Sequence, residues 1–120
     1  MTIYSQVFES KNEHSAKRMG SGGLDVLSTP SLVAFMENAC FQFTEESLND
    51  SQLSTVGTEI SIQHLKASKI TEPVTVTITA LKEEGRRYDF RLEAFVNEQL
   101  IAKACHTRVR IEMDKFLSKL

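Results

Sequence analysis

At 120 residues, with 41% hydrophobic and 25% charged side chains, the chain has the make-up of one ordinary folded domain over 1–120, which excludes an extended disordered segment. A net charge of −2 excludes nucleic-acid binding through a broad basic face, because phosphate neutralisation needs clustered Lys and Arg. No apolar run reaches the length of a membrane span and no apolar signal-peptide core opens the chain, so the expectation is a cytoplasmic protein that binds neither nucleic acid nor membrane.

In chain order, residues 2–9 hold Ile3, Tyr4, Val7 and Phe8 and read as a first strand with imperfect alternation. From Ser10 to Gly23 the chain turns polar and then glycine-rich, ending in Met19-Gly20-Ser21-Gly22-Gly23, which reads as a loop with a mobile end, placed to act as a lid. The next run, Thr29-Pro30-Ser31-Leu32-Val33-Ala34-Phe35-Met36-Glu37-Asn38-Ala39-Cys40-Phe41, is apolar on nearly every face at helical period. It predicts a buried helix to about Glu46, with Thr29 as N-cap and Pro30 at the first helical position, where its missing N–H costs nothing. Leu32, Phe35, Met36, Ala39 and Phe43 form one stripe, and Glu37 lies at its border, at the water's edge or in a cleft.

Four strands are expected after a polar connection at Ser47 to Ser54. In the first, Val56, Thr58, Ile60, Ile62 and His64 alternate with Gly57, Glu59, Ser61 and Gln63, placing His64 on an apolar face. The second begins after Pro73 and is β-branched from Val74 to Ile78. A hairpin turn at Glu83-Glu84-Gly85-Arg86 leads to a third strand with Tyr88, Phe90, Leu92, Ala94 and Val96 on a dry face and Arg87, Asp89, Arg91 and Glu93 on a wet one. Asn97-Glu98-Gln99 turns the chain into a long last strand, Leu100 to Ile111, carrying His106, Arg108 and Arg110, before a charged tail from Met113. Cys40 and Cys105 match neither a disulfide framework nor a metal-ligand pattern and read as small core residues. One long helix against one antiparallel sheet is an α+β arrangement, the hot-dog plan in which the sheet wraps the helix.

Taken together, four pieces resemble the hot-dog thioesterases, most closely the branch typified by fluoroacetyl-CoA thioesterase. They are Val26-Leu27-Ser28-Thr29 running into Phe35-Met36-Glu37-Asn38-Ala39-Cys40, Val56 to His64, Glu84-Gly85-Arg86-Arg87, and His106-Thr107-Arg108. The resemblance implies a catalytic group of Thr29, Glu37 and His64, with Gly57 and Arg108 contacting the substrate. It also implies an acyl-CoA or acyl-carrier thioester as substrate, no metal or other cofactor, and a homodimer or tetramer in which Glu37 and His64 of one site come from different chains. The fluoroacetyl-selective enzyme of that family has aromatic residues in the segment ahead of its helix, whereas here the segment is Met19-Gly20-Ser21-Gly22-Gly23, a departure that leaves acyl-CoA hydrolysis implied and the fluorinated substrate open.

Thioester hydrolysis needs a nucleophile or activated water, a proton shuttle and oxyanion donors. Glu37 is the expected attacking or activating carboxylate, Thr29 and His64 its proton-handling partners, and backbone N–H groups near Gly57 or at the helix start the oxyanion donors. Each residue also has a plain structural reading: Thr29 as a cap, Glu37 as a solvated carboxylate, His64 as a satisfied strand histidine, and Arg108 as half of an ion pair. Nothing in the pattern pairs His106 with Glu37. Arg86 and Arg87 read as a solvated hairpin end that a CoA phosphate could use. The alternative function is a non-catalytic module that binds or senses acyl-CoA; a hot-dog dehydratase ranks below both, since its histidine and acid pattern is not evident.

Overall fold

The computed structural model describes residues 2–120. Strand β1 (Tyr4–Phe8) is followed by a single 3-10 turn at Asn12–His14, the short helix α1 (Ala16–Met19) and the long helix α2 (Thr29–Ser47). Then come β2 (Leu53–His64), β3 (Val74–Glu84), β4 (Arg87–Val96), β5 (Gln99–Glu112) and a terminal helix α3 (Met113–Leu117). The five strands form one antiparallel sheet in the order β1-β3-β4-β5-β2, leaving β1 and β2 at its edges.

The turns follow from chemistry legible in the chain. Gly85, at φ +60°, opens the two-residue β3–β4 hairpin in a conformation that costs glycine nothing. The β4–β5 hairpin turns on Asn97 and Glu98, both left-handed at φ 50° and 65°; Asn tolerates this and Glu does so under strain.

Helix α2 lies across the sheet with Leu32, Phe35, Met36, Ala39 and Cys40 buried against the inward residues of β3 and β4, among them Val74, Val76, Ile78, Phe90 and Leu92. Phe8 stacks on Phe35 at 4.8 Å, and Phe43 meets Phe90 edge-on at 6.1 Å, closing the two ends of that layer. The helix is not wrapped on every side. Val33, Glu37 and Phe41, one turn apart, are only half-buried, and Ala34 is exposed, so an apolar stripe with a carboxylate in its middle, on the side of the helix towards β2 and β5, is left only partly covered.

Four expectations are corrected. The cap of α2 is Ser28, whose Oγ accepts from the Ser31 N–H at 3.1 Å; Thr29 is the first helical residue and Pro30 the second. Segment 10–23 is not an open loop. Ser15 caps α1 by accepting from the Arg18 N–H, Gly20 at φ +79° ends it, and bridges Ser15–Leu27 and Val26–Lys69 pin the segment down at its buried Ser15, though 11–13 and 17–23 stay exposed. A β-bulge between Gly57 and Glu59 reverses the side-chain phase of β2, so Thr55 and Gly57, not Val56 and Thr58, share the inner face with Ile60, Ile62 and His64. Cys105 is exposed on the outer face of β5, between the inward residues Ala104 and His106, while Cys40 is in the core as expected. Among the described residues no helix is long and apolar enough to cross a membrane, and no group of His, Cys, Asp or Glu is placed to hold a metal ion.

Candidate active site

With Ser28 doing the capping, the Thr29 hydroxyl is free to point off the helix, and it meets His64 Nδ1 at 2.8 Å. His64 is the last residue of β2, so one bond ties the start of α2 to the end of the edge strand. The other ring nitrogen, Nε2, is buried and has no hydrogen-bond partner. Whichever group donates in the Thr29–His64 bond, Nε2 is left as either a free base or a free donor. Burial holds His64 below the ordinary histidine pKa, so the ring is neutral and able to take up a proton.

Glu37 lies eight residues further along α2, a rise of about 12 Å at helical pitch, and its neighbours are different. The bulge brings Gly57 beneath it. A Cβ at position 57 would stand 2.9 Å from Glu37 Oε2 and 3.1 Å from His106 Cε1, so the glycine leaves room for both side chains, and any larger residue would push them aside. Across the β2–β5 ladder Gly57 pairs with Arg108 and Ile60 with His106, which puts both polar side chains of β5 on the inner face under the helix.

His106 and Arg108 are buried. His106 Nδ1 is 2.7 Å from the Glu59 carbonyl; a carbonyl only accepts, so Nδ1 carries the proton and Nε2 presents its lone pair. That lone pair accepts from Arg108 Nη1 at 3.1 Å, with Glu37 Oε2 3.9 Å away. Burial, and next the Arg108 charge, lower the His106 pKa against the pull of the Glu59 carbonyl and Glu37, so His106 and Glu37 are neighbours about one guanidinium and not an ion pair.

Arg108 is fixed from the other side. Its Nε donates to Thr55 Oγ1 and its Nη2 to the Thr55 carbonyl, both at 2.9 Å. Thr44 gives its own proton to the Phe41 carbonyl at 2.9 Å, so in its 2.8 Å contact with Thr55 the donor is Thr55. The chain Arg108–Thr55–Thr44–Phe41 therefore has one direction throughout, and it anchors the guanidinium to α2. Arg108 also stands over the Phe41 ring, 5.7 Å from its centre. The Cys40 thiol is not a competing nucleophile, since burial pushes its pKa up to about 12.

Two clusters result within one chain: Thr29–His64 at the helix start, and Glu37–Gly57–His106–Arg108 two turns along. The expected set is present, but Glu37 keeps company with Gly57 and Arg108, not with His64. His106 is the residue the pattern missed. Its signal was the alternation of β5 from Ala102 to Arg108, which sets His106 and Arg108 in line with the buried Ala102 and Ala104.

A five-stranded antiparallel sheet curled about one long helix, with polar groups gathered at the helix start and under its middle, defines the chain as a hot-dog thioesterase-class protein. The model of the fluoroacetyl-CoA-specific thioesterase family matches residues 11–114. A fluoroacetyl-CoA thioesterase of Streptantibioticus cattleyicolor is 31% identical over 96 residues, 80% of this chain and 68% of the relative. The crystal structure of a variant of a fluoroacetyl-CoA-specific thioesterase in complex with fluoroacetate and CoA superposes with a TM-score of 0.88 at 26% identity, covering 97% of this chain and 94% of the other. A hot-dog-like protein from Thermanaerovibrio acidaminovorans, at 18% identity, TM-score 0.86 and coverage of 98% and 87%, shares the fold. The chain belongs to the fluoroacetyl-CoA-specific thioesterase family and is a thioester hydrolase.

Proposed function

We propose that the chain is a homodimeric acyl-CoA thioesterase whose two active sites are each assembled from both subunits, Thr29 and His64 coming from one chain and Glu37, Gly57, His106 and Arg108 from the other. One observation carries this reading: the Thr29–His64 pair lies about 12 Å along α2 from Glu37, and His64 Nε2 is unpartnered. Two further features support a meeting of the halves along β2. β2 is a 12-residue edge strand, and the half-buried Val33–Glu37–Phe41 stripe of α2 asks for cover. Antiparallel pairing of two β2 strands about a two-fold axis near Ile60 and Ser61 sets His64 of each chain opposite Gly57 of the other.

In that arrangement the thioester carbonyl sits between the two clusters. The Glu37 carboxylate attacks it or activates a water for attack, with Arg108 holding the carboxylate's position through charge and His106 fixing Arg108. The bare backbone at Gly57 lets the acyl group approach, and the adjoining bulge leaves Thr58 out of the ladder, a local source of N–H donors for the oxyanion. Thr29–His64 handles the proton that the leaving thiolate requires. The acyl group is small or medium, in keeping with the fluoroacetate and CoA held by the relative, and the chemistry, set in the cytoplasm, needs no metal or redox cofactor.

Thiol release from acyl-CoAs running from acetyl through aromatic to long-chain tests this. Chain-selective hydrolysis that falls at least about a hundredfold in Glu37→Gln is expected, as for loss of a positioned acid–base or nucleophilic group. Full activity in Glu37→Gln removes the carboxylate from the mechanism. Binding of acyl-CoA without turnover identifies a sensing module instead.

A further inference from the structure

Beyond the two clusters, the strand pair that carries them ends in a recess of about 300 Å³ between the end of the sheet and α3. Arg86 from the β3–β4 turn, Arg110 from β5, and Lys115 and Lys119 from the terminal segment all line it. Four cations converge there on a chain whose net charge is −2, and among the described residues none of them is in an ion pair. Glu112 is the one carboxylate in the lining, so the site is strongly positive. Phe116, 38% exposed, adds an aromatic face to the same wall. A flat basic face suits an acidic protein partner; a recess of ligand size with converging Arg and Lys and an open ring suits phosphates attached to a base.

Its place in the fold is informative. In the β2–β5 ladder Gly57 pairs with Arg108, Thr55 with Arg110 and Leu53 with Glu112, so the recess begins two residues beyond the acyl end and extends to four, about 7 to 13 Å of strand. The pantetheine arm of CoA easily bridges that span. We propose that this recess binds the 3′-phosphorylated ADP head of the CoA thioester, with Arg86, Arg110, Lys115 and Lys119 taking the phosphates and Phe116 the adenine. The inference rests on the acyl-CoA reading above, and it selects CoA over a carrier protein as the thiol.

The test is the double charge reversal Lys115→Glu/Lys119→Glu, on exposed positions in α3 and the turn after it that touch neither cluster. Hydrolysis of an acyl-CoA is compared with hydrolysis of the same acyl group on N-acetylcysteamine, which has no nucleotide, and binding of 3′,5′-ADP is titrated calorimetrically. The expected result is a rise of about tenfold or more in KM for the acyl-CoA with kcat kept, no change with the truncated thioester, and loss of 3′,5′-ADP binding. Equal KM for acyl-CoA in both proteins overturns the assignment, as does an equal loss on both substrates, which marks a structural role. A defect seen only with an acyl group on an acidic carrier protein also overturns it. If the natural protein hydrolyses neither thioester yet binds 3′,5′-ADP and the variant does not, the recess stands and the hydrolase reading falls.

Discussion

A two-chain site makes a counting prediction that a one-chain site cannot meet. On the proposed two-chain reading each site takes Thr29–His64 from one subunit and Glu37 from the other, since eight helical residues separate the two clusters by about 12 Å, beyond what one glutamate side chain spans. Homodimers of Glu37→Gln and of His64→Ala are each expected to lose nearly all activity. In a mixed dimer, one site takes its Thr29–His64 from the Glu37→Gln chain and its Glu37 from the His64→Ala chain, so both halves are intact; the other site is doubly defective. Random mixing makes half of the dimers mixed, each with one working site of two, so an equimolar mixture refolded or co-expressed together recovers about a quarter of natural activity per chain. The assay is thiol release from the best acyl-CoA of the panel, with chain exchange confirmed by a size-tagged partner. A mixture that exchanges chains yet stays inactive refutes the division of the site.

Other expectations follow from single contacts. Gly57→Ala puts a methyl group 2.9 Å from Glu37 Oε2 and 3.1 Å from His106 Cε1, and the neighbours must give; a kcat loss of about tenfold or more with a stability loss of only about 1–3 kcal/mol is expected from kinetics and denaturant unfolding. Burial lowers both His64 and His106 in the folded chain, so between their folded pKa and the ordinary value the unfolded chain binds more protons. Stability is therefore complete above about pH 6.5 and falls as the pH drops towards the folded values; Tm followed from pH 8 to 5 should show this, with a shallower fall in His106→Asn. Glu98→Gly relieves a left-handed glutamate at φ 65° in the β4–β5 turn and should stabilise by about 1 kcal/mol, a few degrees in Tm; an unchanged or lower Tm would mean that the turn is unstrained.

The parts of the fold that were legible are those where one period persists. Five inward residues from Tyr88 to Val96 alternate without interruption, and the stripe Leu32–Phe35–Met36–Ala39 keeps helical spacing, so β4 and the core of α2 could be read directly. Errors arose where the period breaks or where two neighbours offer the same chemistry. The bulge at Gly57–Glu59 inserts one residue into β2, and alternation counted through it assigns Val56 to the wrong face. Ser28 and Thr29 are both good caps, and with proline accepted at either of the first two helical positions nothing local separates them. The site was legible as a set of residue types through resemblance, but not as a geometry. His106 and Arg108 are non-local, and their link to Glu37 exists only after β5 has paired with β2 and α2 has crossed both.

That link also shows what the chain gives up for the site. A guanidinium under a helix is costly to desolvate, and among the described residues no carboxylate reaches it within ion-pair distance. A leucine at 108 would suit a core, yet Arg108 is met by Thr55 and His106, with Thr44 behind Thr55, polar side chains that would be idle in an apolar interior. The glycine opposite it removes the side chain that would otherwise shield Glu37. Stability alone explains none of these choices, and each becomes intelligible if the fold must hold one positive charge still beside one carboxylate at an unfinished edge. The network then has a separable signature. Thr44→Val breaks the Arg108–Thr55–Thr44–Phe41 chain without touching Glu37, and should cost about 1 kcal/mol in stability while lowering kcat more than it raises KM. A loss of stability with kcat unchanged would mean that the threonines only fill the core.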